Sequence, residues 1–417
     1  MKLLSLSNGH GEDAIALRIL QQLQPHPAHP KLAALPLVGE GYAYIRHSIP
    51  LLEPVRQMPS GGFIYMDNRQ LARDIRGGLL QLTLAQIKAV RKWARSGGMV
   101  LAVGDIVPLL FAWLSGAPYA FVGTAKSDYY LQDEAGLLPR HSWFERLETW
   151  SGSVYLPWER WLMSHPRCKA VFPRDTLTTT ILKEWNIPAF DLGNPMMDGL
   201  EPSGIQFRLD GEVGNDVERS LTFVLLPGSR APEVYQNWQL ILQAVAAIMV
   251  QGRSKRLLFL GAIAPHLDVA PLSQALISQG WQQQPSTPDL KFTQRAATLI
   301  LSQSAYNDCL HQADFAIAMA GTATEQFVGL GKPAITLVGE GPQFTPAFAE
   351  AQTRLLGPSA ILIKQPEQVV NVIDALLQDP DRLQLIADNG YRRMGAPGAA
   401  KRIADHLMEL DWQVNRR

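Results

Sequence analysis

The chain has 417 residues, 47% hydrophobic and 18% charged, with 38 basic side chains against 38 acidic ones. That length exceeds what one hydrophobic core usually fills and predicts two domains, while the composition excludes a disordered chain and the zero net charge argues against a nucleic-acid binder. Cys168 and Cys309 lie far apart, which argues against a disulfide framework or metal-binding pair and leaves two small buried hydrophobes in a reducing compartment.

The opening LLSLS is too short for the apolar core of a secretory signal, and no run approaches the roughly 20 apolar residues of a membrane span. A cytoplasmic protein is expected, soluble or peripheral on the inner face of the cytoplasmic membrane. Short apolar runs rich in β-formers then follow at 2–7, 31–38, 99–104, 119–123 and 169–173. Each is apolar on both faces and leads into a loop and a helix, the pattern of parallel strands covered on both sides. A stretch rich in glycine, proline and acids, 193–220, interrupts the series. A second series lies at 221–228, 256–262, 315–321, 333–339 and 360–363, after which the chain reads as helical. The expected fold is α/β, two doubly wound Rossmann-like domains facing across a cleft, 1–200 and 201–397. A final helix, 398–417, is expected to pack back on the first.

The first strand runs into Asn8, Gly9, His10, Gly11, Glu12 and Asp13. The glycines let backbone approach a ligand, and a helix starting near Glu12 or Asp13 would offer free N–H groups to an anion, with His10 and Glu12 flanking it. A glycine turn with Glu12 or Asp13 as helix cap explains the same residues structurally. The second series opens with LLPGSRAPE, where Gly228, Ser229 and Arg230 at a helix start suit a diphosphate and Glu233 follows. A serine cap with Arg230 paired to Glu233 on the surface is the alternative there. In AMAGTATEQ a strand ends at Gly321, Thr322 and Thr324 offer hydroxyls at the next helix start, and Glu325 sits where it can accept both hydroxyls of a ribose. Thr322 and Glu325 also have capping-box spacing. Glu340, in a glycine-flanked loop, would face a sugar or base. The segment 141–167 places Trp143, Phe144, Trp150, Tyr155, Trp158 and Trp161 among Arg146, Arg160 and Arg167. That mixture suits a membrane interface; core packing is the alternative.

The order LLPGSR, AGTATEQ, GLGKPAITL and a terminal GAPGAAKRIA helix resembles lipid-A-disaccharide synthase, an inverting glycosyltransferase of the GT-B class, through most of the chain. SNGHGEDAIA stands at that family's N-terminal loop, GDIVP (104–108) near its Gly-x-Asp-x-Pro segment, and GNPMMDGL (193–200) at its Gly-His-Pro segment, with Asn194 replacing the histidine. The second half is also similar to the peptidoglycan glucosaminyltransferase that works on a lipid-linked acceptor. The resemblance implies a UDP-sugar donor on the C-terminal domain and a lipid or lipid-linked acceptor on the N-terminal one, with no cofactor. It implies that Gly228, Ser229 and Arg230, followed by Glu233, hold the diphosphate, and that Gly321, Thr322, Thr324 and Glu325 hold phosphate and ribose. Asp105 matches the family's essential aspartate and Glu12 its loop glutamate, with Asn8, Gly9, Gly11 and Asn194 on the acceptor side.

An inverting transfer needs a base for the acceptor hydroxyl, assigned to Asp105 or His10. The leaving charge would fall to Arg230 and the helix N-terminus after Gly228. No carboxylate pair stands where a magnesium ion would need one, so a metal-independent scheme is expected. Two other readings fit the same architecture: a UDP-sugar 2-epimerase, which needs no acceptor, and a non-catalytic nucleotide-sugar-binding protein.

Overall fold

A computed structural model describes residues 1–55, 79–139, 146, 150–207, 220–250, 256–285, 289–339 and 344–413, apart from the side chains of His10, Leu79 and Leu80. The chain forms two compact units, Met1–Asp198 with Gly395–Arg417, and Gly199–Met394.

The first unit is built on strands β1 (Lys2–Ser7), β2 (Lys31–Pro36), β3 (Met99–Gly104) and β4 (Tyr119–Gly123). A small hairpin, β5 (Gln132–Asp133) and β6 (Gly136–Leu137), precedes β7 (Cys168–Phe172). Five strands pair in parallel in the order β2-β1-β3-β4-β7. Both faces are covered, which is why these strands read as unbroken apolar runs. Leu4, Leu6, Val100 and Ala102 pack with residues of helices Leu79–Arg95 and Ile106–Ser115. Their alternate neighbours Leu3, Leu101 and Val103 pack with Ile15, Ile19 and Leu20 of helix His10–Leu23 and with Ile403 and Leu407 of the last helix, Ala399–Glu409.

That last helix lies against His10–Leu23, and residues from the other end of the unit hold its start. Asp198 accepts the backbone N–H of Gly398, of Ala399 at 3.1 Å and of Ala400 at 2.6 Å. Arg402 donates to the carbonyls of Leu192, Pro397 and Ala396, each at 2.9 Å. A carboxylate on the first N–H groups of a helix satisfies orphan donors and complements the helix dipole. Asp198→Ala is therefore expected to cost about 1–2 kcal/mol. Calorimetry should show melting about 2–8 °C lower; an unchanged transition would mean the cap adds nothing.

The second unit carries β8 (Leu221–Leu226), β9 (Leu257–Ala262), β10 (Gln282–Gln284), β11 (Leu290–Gln294), β12 (Ala297–Ser302), β13 (Phe315–Ala318), β14 (Ala334–Leu337) and β15 (Ala360–Ile363). Their order is β10-β11-β12-β9-β8-β13-β14-β15, parallel from β12 to β15, with β10 and β11 added antiparallel at one edge. Its opening residues are fastened to helix Tyr306–Gln312. Asp308 accepts from the Ser203 hydroxyl at 2.7 Å and from the amides of Gly204 and Ile205 at 2.9 and 3.1 Å. Burial works to raise this carboxyl, but the hydroxyl and amides outweigh it and hold it below the usual range.

Candidate functional site

In an open α/β sheet, ligands gather beyond the strand carboxyl ends where the strand order reverses. In the first unit that place lies between β1 and β3. β1 delivers Asn8, and β3 delivers Asp105. Asn8 is 5% exposed and donates Nδ2–H to Asp105 Oδ2 at 3.3 Å. Gly9 takes φ 132° and caps helix His10–Leu23 with its backbone alone. The helix thus starts two to three residues before the position expected from sequence, and its N-cap residue is Gly9, not Glu12 or Asp13. A Cβ on Gly11 would meet nothing within 4 Å. Gly104 has φ 132°, and a Cβ there would lie 3.1 Å from Cγ of Glu12 and 3.9 Å from Cβ of Asn8. Asn8, Glu12 and Asp105 therefore converge. The His10 side chain lies outside the described set.

Asp105 caps helix Ile106–Ser115, accepting the Val107 amide at 2.8 Å on Oδ1. Burial raises its pKa above 3.8 against the pull of that amide and of Asn8, so it is a stronger base than a surface aspartate. Asp13 has a different part from the cap weighed above. It is buried, its Oδ1 accepts from Ser7 Oγ at 2.5 Å, and that hydroxyl also meets the Tyr44 hydroxyl at 2.6 Å. Burial pushes the Asp13 carboxyl up to about 6, against the hydrogen bonds from Ser7, Gly9 and Tyr44. Asn194 is buried and caps the short turn Pro195–Met197 through the Met196 amide at 3.0 Å. Its surroundings are Gly395 and the carbonyls that Arg18 grips, and among the described residues no hydrogen bond joins it to Asn8 or Asp105.

The second unit reverses its order between β8 and β13. Gly228, at φ 100°, follows β8, and a Cβ there would lie 3.3 Å from the Met319 carbonyl oxygen. Asn237 ties the two loops, donating to Pro227 O at 3.0 Å and to Met319 O at 3.5 Å. Ser229 is exposed and Arg230 partly so, but helix Glu233–Val250 begins only at Glu233. The GSR run therefore precedes the helix instead of opening it, and Ser229 is not its cap. Glu233 is buried and accepts the Phe344 amide at 2.7 Å, so it is not a surface side chain.

Beyond β13, Gly321 caps helix Thr322–Gly329 with no side-chain hydrogen bond, so the capping box is not formed. Thr322 is the first helical residue. Thr324 is fully buried and spends its hydroxyl on the Ala320 carbonyl at 2.6 Å, shaping the turn. Glu325 is buried in the first helical turn. This leaves the N-terminus of helix Thr322–Gly329 at the switch point, after the Met319 backbone against which Gly228 packs, an arrangement suited to an anion. Glu340 lies outside the described residues.

The aromatic segment divides. Trp143 and Phe144 lie outside the described residues. Trp150, Trp158 and Trp161 are 79%, 53% and 54% exposed. Tyr155 is buried, and Arg160 is buried too, with its guanidinium 3.8 Å over the Trp185 ring and a hydrogen bond to Ser151 O. These two belong to the core, against the interface reading. Among the described residues, no helix is long and apolar enough to cross a membrane, and Cys168 and Cys309 are buried free thiols. Sequence reading missed Lys126, whose Nζ lies 2.6 Å from Glu159 at the carboxyl end of β4. No motif marks that pair.

No protein-family model matches the chain, and no curated protein matches it. Solved structures do. The UDP-GlcNAc 2-epimerase of Neisseria meningitidis bound to UDP-GlcNAc is 13% identical, covers 98% of this chain and 100% of its own, and has a TM-score of 0.56. MurG of Acinetobacter baumannii is 15% identical over 98% and 99%, with a TM-score of 0.55. The calicheamicin glycosyltransferase CalG4 is 12% identical over 98% and 97%, with a TM-score of 0.57. At such identities the likeness is one of fold, and with two Rossmann-like parallel sheets and a last helix returning to the first, the chain has the GT-B fold.

Proposed function

We propose that the protein is an inverting glycosyltransferase akin to lipid-A-disaccharide synthase, moving a sugar from a UDP-sugar to a lipid or lipid-linked acceptor at the cytoplasmic face of a membrane. The observation that carries this reading is that each sheet has its chemically equipped loops where its strand order reverses. The second unit would hold the donor. Ser229 and Arg230 would bind the diphosphate beside Gly228, the N–H groups opening Thr322–Gly329 would take phosphate oxygens, and Glu325 the ribose. Arg230 and that helix end would take the charge on departing UDP.

In the first unit Asp105 would draw the proton from the acceptor hydroxyl as its oxygen attacks the anomeric carbon and the bond to UDP breaks. His10 is the other base that this loop offers. The exposed Trp150, Trp158 and Trp161 support a lipid surface as the acceptor's home. Epimerisation is the second reading, favoured by the fold likeness to an epimerase bound to UDP-GlcNAc.

UDP-GlcNAc is accordingly the donor to try, with the protein alone and with vesicles of total bacterial polar lipid. Release of UDP that needs the vesicles, with sugar recovered in the lipid, is the expected result. A C2 epimer formed without lipid would replace transfer by epimerisation. UDP at about 100 times its Kd should add about 2.7 kcal/mol of stability, and Glu325→Ala should lose that gain. Binding with no turnover would leave a nucleotide-sugar-binding protein; no melting shift with UDP would overturn the donor site.

A further inference from the structure

Two carboxamide side chains are buried behind the loops that follow β8 and β13, and the reaction just described gives neither of them a task. Asn237, on helix Glu233–Val250, is 3% exposed, and its Nδ2 donates to Pro227 O at 3.0 Å and to Met319 O at 3.5 Å. Gln352, on helix Pro346–Leu356, is also 3% exposed, and its Nε2 donates to Ala320 O at 3.1 Å and to Gly321 O at 3.2 Å. Four carbonyls of two loops are thus held by buried donors from two different helices. Stability accounts poorly for Gln352. Ala320 O already accepts from the Thr324 hydroxyl at 2.6 Å, and Gly321 O from the amides of Thr324 and Glu325 at 3.1 and 3.2 Å. Neither carbonyl needs another donor. Gln352 Oε1 is itself buried with no hydrogen-bond partner among the described residues, a penalty that an apolar side chain of the same length would avoid.

What the four bonds do follows from the peptide unit. In a planar trans peptide the N–H points opposite to the C=O. Holding the carbonyls of Pro227, Met319, Ala320 and Gly321 toward buried side chains therefore turns the amides of Gly228, Ala320, Gly321 and Thr322 the other way. Among the described residues none of those four amides donates to a backbone carbonyl. We propose that Asn237 and Gln352 are positioning residues that aim these N–H groups at the diphosphate of the nucleotide donor. The inference rests on the reading of this end of the second sheet as the donor site. Amides fixed before the ligand arrives take phosphate oxygens with no reorientation at the moment of binding. Asn237 reaches both loops with one nitrogen, so the loops stand close together and suit two linked phosphates.

The test compares UDP with uridine, which lacks the phosphates, on the wild type and on Gln352→Met, which keeps the side-chain length and removes both donated hydrogen bonds. Gln352→Met is expected to bind UDP about 10-fold more weakly or worse, the loss of a hydrogen bond to a charged group, while uridine binding and melting stay as in the wild type. Equal weakening of UDP and uridine, or UDP binding that does not weaken, would overturn the proposal. Should the variant fail to fold, the wild type labelled with nitrogen-15 glycine decides alone. Its Gly321 amide signal, assigned with Gly321→Ala, whose methyl group would meet only Phe348 Cζ at 3.5 Å, is expected to move with inorganic pyrophosphate and to ignore uridine. A Gly321 signal indifferent to pyrophosphate would end the idea. Failure of the underlying reading looks different: no binding of UDP or uridine by the wild type, with Gly321 still answering pyrophosphate, would remove the nucleotide and leave the aimed amides in place.

Discussion

Asp105→Asn is expected to lower turnover about 10²–10⁴-fold, the range a positioned general base supplies, while the protein stays folded. Asparagine caps a helix as well as aspartate, so the bond from the Val107 amide survives. Asn8 can turn its amide to present Oδ1, which is buried and without a partner among the described residues, to the new Nδ2. Stability is therefore spared and the chemistry is not. The wild type carries a matching pH signature. A base must be ionised, and burial raises Asp105 above its ordinary 3.8, so activity should fall off on the acid side at a pH above that of a surface aspartate. Rate profiles measured with the true acceptor check both. Near-native turnover in Asp105→Asn would move the role to His10 or elsewhere.

Gly390→Ala is expected to destabilise the second unit by about 2–3 kcal/mol, at the upper end of overpacking costs, and to lower its melting by about 4–12 °C. Helix propensity argues the other way, since alanine is favoured over glycine in a helix by about 0.5–1 kcal/mol. Sterics reverse the sign. Gly390 lies where helix Pro380–Met394 meets helix Thr322–Gly329, and a Cβ there would stand 2.1 Å from the Val328 carbonyl oxygen and 3.2 Å from its carbon. The obstacle is backbone, which has no rotamer to yield. Val328 is one turn beyond Glu325, so weakened UDP binding should accompany the lost stability. Gly11→Ala, with open space for its methyl group, should leave melting unchanged or slightly raised.

The parallel strands were legible because both faces of each are buried, and β1, β3, β4 and β15 fall where the apolar runs place them. β11 and β12 were not. They meet as an antiparallel hairpin through Arg295, a non-glycine residue at φ 54°, with no Gly, Asn or Asp to mark the turn. Without these two strands the part of the sheet beyond β9 is missing, although the β8/β13 switch point does not depend on them. The candidate residues were legible by type and by nearness to strand ends. Their partners were not, because those come from far along the chain: Glu233 answers Phe344 and Asp198 answers Gly398. Helix starts also slipped, at His10 and at Glu233: Gly9 caps the first with its backbone alone, and the second begins three residues after Arg230.

Residues 395–417 complete a unit whose other part ends at Asp198. During synthesis, the continuous stretch 199–394 has everything it needs before those residues leave the ribosome. The unit that begins the chain does not: Ile15, Ile19 and Leu20 wait for Ile403 and Leu407 to cover them. The part translated second can therefore finish first, and the opening half must keep an apolar helix face out of trouble until the helix at 399–409 has been made. A message truncated after codon 394 would yield one finished unit and one sticky one.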